Sequence, residues 1–483
     1  MPSIKTNLFY NLFLNVSKVI FPLITAPYAT RVLAANDLGL ANFANTFSGY
    51  FALVAVLGVP FYGSREIAKV RDDKFQTNRL FCELFSISLL NTIFLTFIYL
   101  LSVLFINRLS TDYIVFLIAG VTLYCSPFNI DWLYAGIENF KVVTIRSIFI
   151  KTLSVISLFV FVRERNDFII FLLINVFATV ANDIWNFFVL YKLGYKVKFS
   201  FEGIKKHLKP LLILFSSTLA ASIYTVLDVI MLGFMSVYSE VAYYTYAMHL
   251  VKALLAAITS LAAVAVPRVS YYIKNNKYEE INDLVNKSFS LVSFFALPMC
   301  IGIILISPTF IPLFLGEQFY GSIIPIQILS FILIFIGLNN LFAIQCLVGL
   351  GFDKLFFVSI LSGTISNFAL NLLLIPRYGA IGASVASSVA EFLVLFISAY
   401  FVVRFTSIKL KQRKDFIHTI VASLLLIFNF WIATLFLDGW GLIFIFIILS
   451  LISYMLYQYY VKNETLLIII KLVTNKILRF EYV

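Results

Sequence analysis

The 483-residue chain is 61% hydrophobic and 12% charged, with a formal net charge of +12. Soluble domains carry about 25% charged residues, so an ordinary water-soluble fold of this size is excluded. The surplus of Lys and Arg does not point to nucleic acid, because the basic residues collect in alternate loops between apolar runs, as the positive-inside rule requires of a membrane protein.

The apolar runs reach about 20 residues or more, enough to cross a ~30 Å hydrocarbon core as helix. They lack the ~10-residue alternating segments of a membrane barrel. Fourteen spans are predicted, over 8–30, 39–62, 80–106, 113–136, 143–162, 168–191, 210–234, 241–266, 288–309, 323–350, 355–376, 379–403, 417–437 and 440–461. The first is read as a retained span, since no small-residue cleavage site follows a short apolar core. With the N-terminus inside, the loops "GSREIAKVRDDKFQTNR" (63–79), "KLGYKVKFSFEGIKKHLK" (192–209) and "RFTSIKLKQRK" (404–414) carry five, six and five Lys/Arg on the cytoplasmic side. Both ends are then expected in the cytoplasm of a bacterial inner membrane.

The expected architecture is an all-α polytopic protein in two pseudo-symmetric bundles around a central cavity. Residues 1–191 would form a six-helix bundle and 192–209 a basic linker. A second six-helix bundle would follow over 210–403, and 404–483 would add two helices and a tail. A faint internal repeat agrees with this. "DLGLANFA" (37–44) opens span two as "EVAYYTYA" (240–247) opens span eight, and such duplication is typical of secondary transporters. Helix breaks are expected at Pro22 and Pro27, at Gly58 and Pro60, and at Pro298. The small-residue stretch "GAIGASVASSVAE" (379–391) favours close helix packing.

Polar side chains recur at helical spacing inside the spans. Asn11, Asn15, Lys18, Pro22 and Thr25 share one face of span one; Asn42, Asn45 and Gly49 share a face of span two. Span six presents Asn175, Thr179, Asn182 and Asn186 with Asp183 alongside, and span eight Thr245, His249, Lys252 and Thr259. Span eleven presents Thr364, Asn367 and Asn371. Lipid offers these groups no partner, so they face protein or water. Interhelical cross-linking and the lining of a polar cavity both remain open. An intramembrane lysine costs about 3 kcal/mol on insertion scales. Lys18 and Lys252 are therefore either neutralised by Asp183, Asp228 and Glu391 or, with Arg31, present positive charge to an anionic cargo. Arg31 could equally anchor at the interface.

No phosphate-binding GxxxxGK[ST] loop occurs, and His207, His249 and His418 lack a second ligand at metal spacing. No metal and no cofactor is expected. Cys82, Cys125, Cys300 and Cys346 have no CxxC or CxxH spacing and read as small apolar residues. The pattern is that of a carrier rather than an enzyme.

Several stretches carry a family likeness. "PLITAPYATRVLAANDLGLANFANTFSGYF" (22–51), "DWLYAGIENFKVVTIRSIFIK" (131–151), "YTVLDVIMLGFMSVYSEVAYYTYA" (224–247) and "VPRVS" (266–270) resemble Wzx-type polysaccharide repeat-unit flippases. That family includes O-antigen transporters and belongs to the multidrug, oligosaccharidyl-lipid and polysaccharide exporters. The resemblance implies a fourteen-helix carrier that turns an undecaprenyl-diphosphate-linked oligosaccharide across the membrane. Besides that cargo and membrane lipids, a polysaccharide polymerase and chain-length proteins are the implied partners. Arg31, Asp131, Arg146, Asp228 and Arg268 match its charged positions, with Asp131, Arg146 and Arg268 near the inside surface in structural or gating roles. A drug/cation antiporter or cell-wall precursor exporter of the same fold is the nearest alternative. An integral-membrane polymerase or acyltransferase is the alternative from another class.

Overall fold

In the computed structural model the described residues are 4–200, 202–263, 269, 271–272, 275, 277–406, 408–409, 413–468 and 470–471, with side chains described outside 4–9, 11–12, 217–225, 260–263 and 413. They are nearly all helical, in two compact units, Met1–Ala242 and Tyr243–Val483. Among the described residues ten helices are long and apolar enough to cross a membrane, or eleven if a bent pair is one span. The fourteen expected spans are not established by this count.

The first unit contains α1 (Ile4–Val32), α2 (Ala35–Ala55), α3 (Val59–Val70), α4 (Lys74–Phe105) and α5 (Tyr113–Tyr124). These are followed by α6 (Asp131–Gly136), α7 (Phe140–Phe161), α8 (Phe168–Lys192), α9 (Ile204–Met235) and the start of α10 (Tyr238–Ala263). Helices α2 and α3 are the bent pair, meeting at 41°. The bend falls where Gly58 takes φ 74, a left-handed conformation open to glycine at little cost, and Pro60 then starts α3 without a backbone N–H to satisfy. Asp73 caps α4, its carboxylate accepting from the amides of Phe75 and Gln76 at 2.8 and 3.1 Å.

Helix α1 is tied to α7 along its length. Thr144 donates to the Tyr10 carbonyl at 3.2 Å and Tyr28 to that of Val162 at 2.7 Å. Between these contacts the Lys151 amine sits 5.6 Å from the centre of the Phe21 ring. Contacts that rise together in number along both helices mean that they run parallel, as spans one and five of an alternating array must.

The six-lysine segment is not a free tether. Residues 195–200 lie extended along α4, pinned at intervals of four residues. Asn78 accepts from the Lys196 amide at 2.7 Å, Cys82 donates to the Lys196 carbonyl at 3.2 Å, and Ser86 accepts from the Ser200 amide at 3.0 Å. Tyr195 and Val197 turn into the core that holds Phe81, Phe85, Trp132 and Leu211, while Lys196 and Lys198 are exposed. At the other end of α9, Arg108 donates to the carbonyls of Gly233 and Ser236 at 3.0 and 2.5 Å and lies 4.1 Å over the Tyr238 ring. These bonds satisfy carbonyls that a helix end leaves open. Gly39 makes the approach possible: a Cβ there would lie 1.6 Å from the Tyr238 carbonyl oxygen.

The second unit contains α11 (Tyr278–Leu315), α12 (Ile323–Leu329), α13 (Ile332–Asn339), a π-helical stretch (Asn340–Val348), α14 (Asp353–Phe405), α15 (Arg413–Phe436) and α16 (Gly439–Tyr460). The 53-residue α14 is interrupted at Gly379, whose φ 51 and ψ −126 are not helical. It thus divides at the point where the sequence separates two spans. Its small-residue stretch packs closely: Ala380, Ala383, Ala386 and Ser384 are fully buried. Helices α15 and α16 pack on α11 around Phe294, Leu426, Ile443, Phe446 and Tyr454. Here too a basic segment is pinned: Asn282 accepts from the Lys409 amide and Asn286 donates to the Lys409 carbonyl, both at 2.9 Å.

Candidate functional site

In the first unit the cations of α1 lie at the surface. Lys18 and Asn15 are exposed on α1, and Arg31 is exposed at its C-terminal end, where positive charge complements the helix dipole. Among the described residues Lys18 has no ion pair, and its charge instead acts on Lys151 of α7. Lys151 was missed at the sequence level, although a single lysine within the apolar run 143–162 was the available signal. Asn42 and Asn45 are half-buried on α2, and a Cβ at Gly49 would meet nothing within 4 Å.

The span-six stripe has a different use. Arg146, 2% exposed, donates through Nε to Asn182 Oδ1 at 2.9 Å, through Nη1 to Asn186 Oδ1, and through Nη2 to the Asp131 carboxylate at 3.0 Å. Asn186 also donates to Asp131 at 3.1 Å, and Tyr134 holds the Asn186 carbonyl at 2.7 Å. A buried guanidinium needs its fork filled in this way. Asn182 thus takes part in helix cross-linking, and Asn175 bonds the carbonyl of Phe171 in its own helix. Asp131 and Arg146, both expected near the inside surface in structural or gating roles, form one ion pair. Asp183 is buried beside it and senses both charges, with no ion pair of its own among the described residues.

In the second unit His249 and Lys252 lie side by side on α10, both exposed, with the Lys252 charge acting on the imidazole. The His249 ring packs edge-on to Tyr246 at 6.2 Å. Around α14, Asn371 donates to Asn367 at 3.1 Å and Tyr244 bonds Ser387 at 3.0 Å. Asp228 in the first unit and Glu391 in the second are 5% and 8% exposed. The Asn11 side chain and Arg268 lie outside the described residues. Among the candidates, then, Lys18, Arg31 and Lys252 lie at the surface of their units and the carboxyls Asp183, Asp228 and Glu391 are buried.

The class that this fold defines is that of polytopic helical membrane proteins. It matches the solved structure titled "Lipid II flippase MurJ, inward closed conformation" with a TM-score of 0.77 at 16% identity, covering 94% of this chain and 99% of that one. It also matches "Inward-facing conformation of a multidrug resistance MATE family transporter of the MOP superfamily" with a TM-score of 0.62 at 15% identity, over 80% and 94% of the two chains. Within that class the chain belongs to the family described as "Polysaccharide biosynthesis protein", which matches residues 4–273. It is 25% identical over 407 residues to the "Putative O-antigen transporter" of Escherichia coli (strain K12), covering 83% of this chain and 97% of that relative.

Proposed function

We propose that this protein is a flippase that carries lipid-linked oligosaccharide repeat units across a membrane for assembly into surface polysaccharide. Membership of the polysaccharide biosynthesis family and similarity along nearly the whole of an O-antigen transporter support this reading. The observation that carries it is the contrast between accessible amines and buried carboxyls. Lys18, Arg31 and Lys252 are exposed, whereas Asp183, Asp228 and Glu391 are at most 8% exposed. A cation exporter would present acids to its cargo. An anionic cargo needs the reverse, and an ammonium or guanidinium is the natural partner of a phosphate oxygen.

The finer reading is an undecaprenyl-diphosphate-linked oligosaccharide, moved by alternating access in the bacterial inner membrane with both termini in the cytoplasm. Lys18, Arg31 and Lys252 hold the diphosphate or acidic sugars, with Lys151 reinforcing Lys18. Asn15, Asn42, Asn45 and His249 meet the sugar hydroxyls. A polymerase and chain-length proteins take the product onward. Lys18→Ala and Lys252→Ala are each expected to lower surface polysaccharide at least tenfold at unchanged protein level in the membrane, measured by gel analysis of the extracted polymer. Normal polymer from both variants would overturn the role given to these amines. A null strain that regains its polymer on expression of a drug exporter of the same fold would overturn the flippase reading itself.

A further inference from the structure

The strap formed by residues 195–200 of the first unit carries cations that the proposed cargo site does not use. It leads from the end of α8 toward the start of α9 and lies along the first turns of α4. Helices α4 and α8 are both long and apolar enough to cross a membrane, so the strap runs at the level where spans leave the bilayer. Its backbone is held in place by α4. Asn78 and Cys82 bond the amide and carbonyl of Lys196, Cys82 Sγ accepts from the Lys198 amide at 3.4 Å, and Ser86 accepts from the Ser200 amide.

The side chains follow the two-residue alternation of an extended chain. Tyr195 and Val197 turn into the core, while Lys196 and Lys198 are exposed. Among the described residues neither lysine has an ion pair, because the acids nearby are engaged elsewhere. Glu202 is held by Arg79 at 3.4 Å, and Glu83 by Arg79 and Lys206. Asp73 accepts from the amides at the start of α4, and Asp72 acts on Arg71. Lys74 adds a third amine at the beginning of the strap, 5.6 Å over the Tyr195 ring. Phe199 breaks the alternation. Its place in the sequence would turn it inward with Tyr195 and Val197, yet it is 65% exposed, and Phe75 beside Lys74 is 78% exposed.

Exposed phenyl rings next to lysines without acidic partners satisfy neither group in water. A bilayer surface satisfies both, since aromatic rings settle at the headgroup level and ammonium groups are drawn to anionic lipid. A phosphate free in solution would answer the lysines and leave the rings in water. The second unit repeats the composition. Its strap, pinned by Asn282 and Asn286, exposes Lys409, and Tyr278 at the start of α11 is 53% exposed. We propose that the strap of the first unit is a docking strip for anionic phospholipid, with Lys196 and Lys198 on the lipid phosphates and Phe199 among the upper acyl chains. Because α4 already fixes the backbone, binding need not order it. This goes beyond the flippase reading and does not depend on the cargo.

The test measures how fast a small neutral amine-reactive reagent modifies Lys196 and Lys198 in the full chain held in nanodiscs, read by peptide mass spectrometry. Discs of phosphatidylcholine alone are compared with discs of an equal mixture with phosphatidylglycerol. Lys462, exposed past the end of α16, is the reference, because it reports the general effect of an anionic surface on amines. Relative to Lys462, both strap lysines are expected to react about fivefold more slowly in the anionic discs, the preference one lysine gains at such a surface. Phe199→Ser, at an exposed position, is expected to remove most of that protection without changing the charge. Inorganic phosphate added to the phosphatidylcholine discs is expected to leave the rates unchanged. Rates that fall equally at Lys462, or that do not fall at all, would overturn the proposal. Equal protection by inorganic phosphate, or full protection in Phe199→Ser, would overturn it too, since a bare anion site needs neither bilayer nor ring.

Discussion

The two units pin a basic segment in the same manner but surround it differently. In the first, Asn78 near the start of α4 accepts from the Lys196 amide; in the second, Asn282 near the start of α11 accepts from the Lys409 amide. The residue four further on continues the bonding in each, Cys82 in one and Asn286 in the other. Five residues after the asparagine the units part. The first buries Glu83 against His207, and the second exposes Lys287, paired with Asp283 at 2.6 Å. The same contrast runs through the interiors, an ionic knot around Arg146 in one unit and neutral amides and hydroxyls around Asn371 in the other. A shared backbone arrangement thus survives where the charges it carries have diverged. Backbone amides and carbonyls are present at every position, so a few small polar side chains one turn apart suffice to pin a strap. A buried charge needs several partners at once.

Four substitutions break or sharpen that contrast. Arg146→Ala removes the cation around which Asp131, Asn182 and Asn186 are arranged, and is expected to destabilise the protein by about 3 kcal/mol, read as a fall in melting temperature in detergent. Arg146→Lys should recover only part, because one ammonium cannot reproduce the fork. Asn286→Ala removes the buried amide that holds the Lys409 carbonyl and should cost ~1.5 kcal/mol by the same measurement. Asn371→Leu replaces the neutral amide bond to Asn367 by apolar packing and should cost about 1 kcal/mol, less than the loss of the buried cation in the first unit.

Asp73→Ala should have the smallest effect, and it should depend on pH. Hydrogen bonds from the amide of Gln76, its side chain and the amide of Phe75 hold the Asp73 carboxyl below its ordinary range. A lowered folded-state value means that the stabilisation is present above the unfolded carboxylate range, near pH ~4, and fades as pH falls through the folded value. The melting-temperature gap between wild type and Asp73→Ala is expected to be constant above pH ~5 and to close below pH ~4.

Much of this was legible in the sequence. Apolar runs placed the helices, Gly58 and Pro60 marked the bend, and the three- and four-residue spacing of Asn, Thr and Lys gave the stripes. The stripes did not say what they faced. Asn175, Asn182 and Asn186 share one periodicity, yet Asn175 bonds its own helix while Asn182 and Asn186 clasp an arginine from α7. Periodicity fixes the face of a helix, and the partner across that face depends on residues distant in the chain. For the same reason Lys151 went unnoticed beside Lys18, and His207 looked like a lone histidine in a basic loop.

By itself the sequence determined that this is a many-spanning helical membrane protein, because the length of an apolar run and the cost of burying charge in lipid are local properties that composition records. It also determined where the chain can bend and which residues share a helix face. Only the tertiary structure decided which charges are buried against other helices and which lie at the surface, since Coulombic and hydrogen-bond energies depend on distances of a few ångströms between helices far apart in the chain. That sorting encloses Arg146 and Glu83 and leaves Lys18 and Lys252 at the surface of their units.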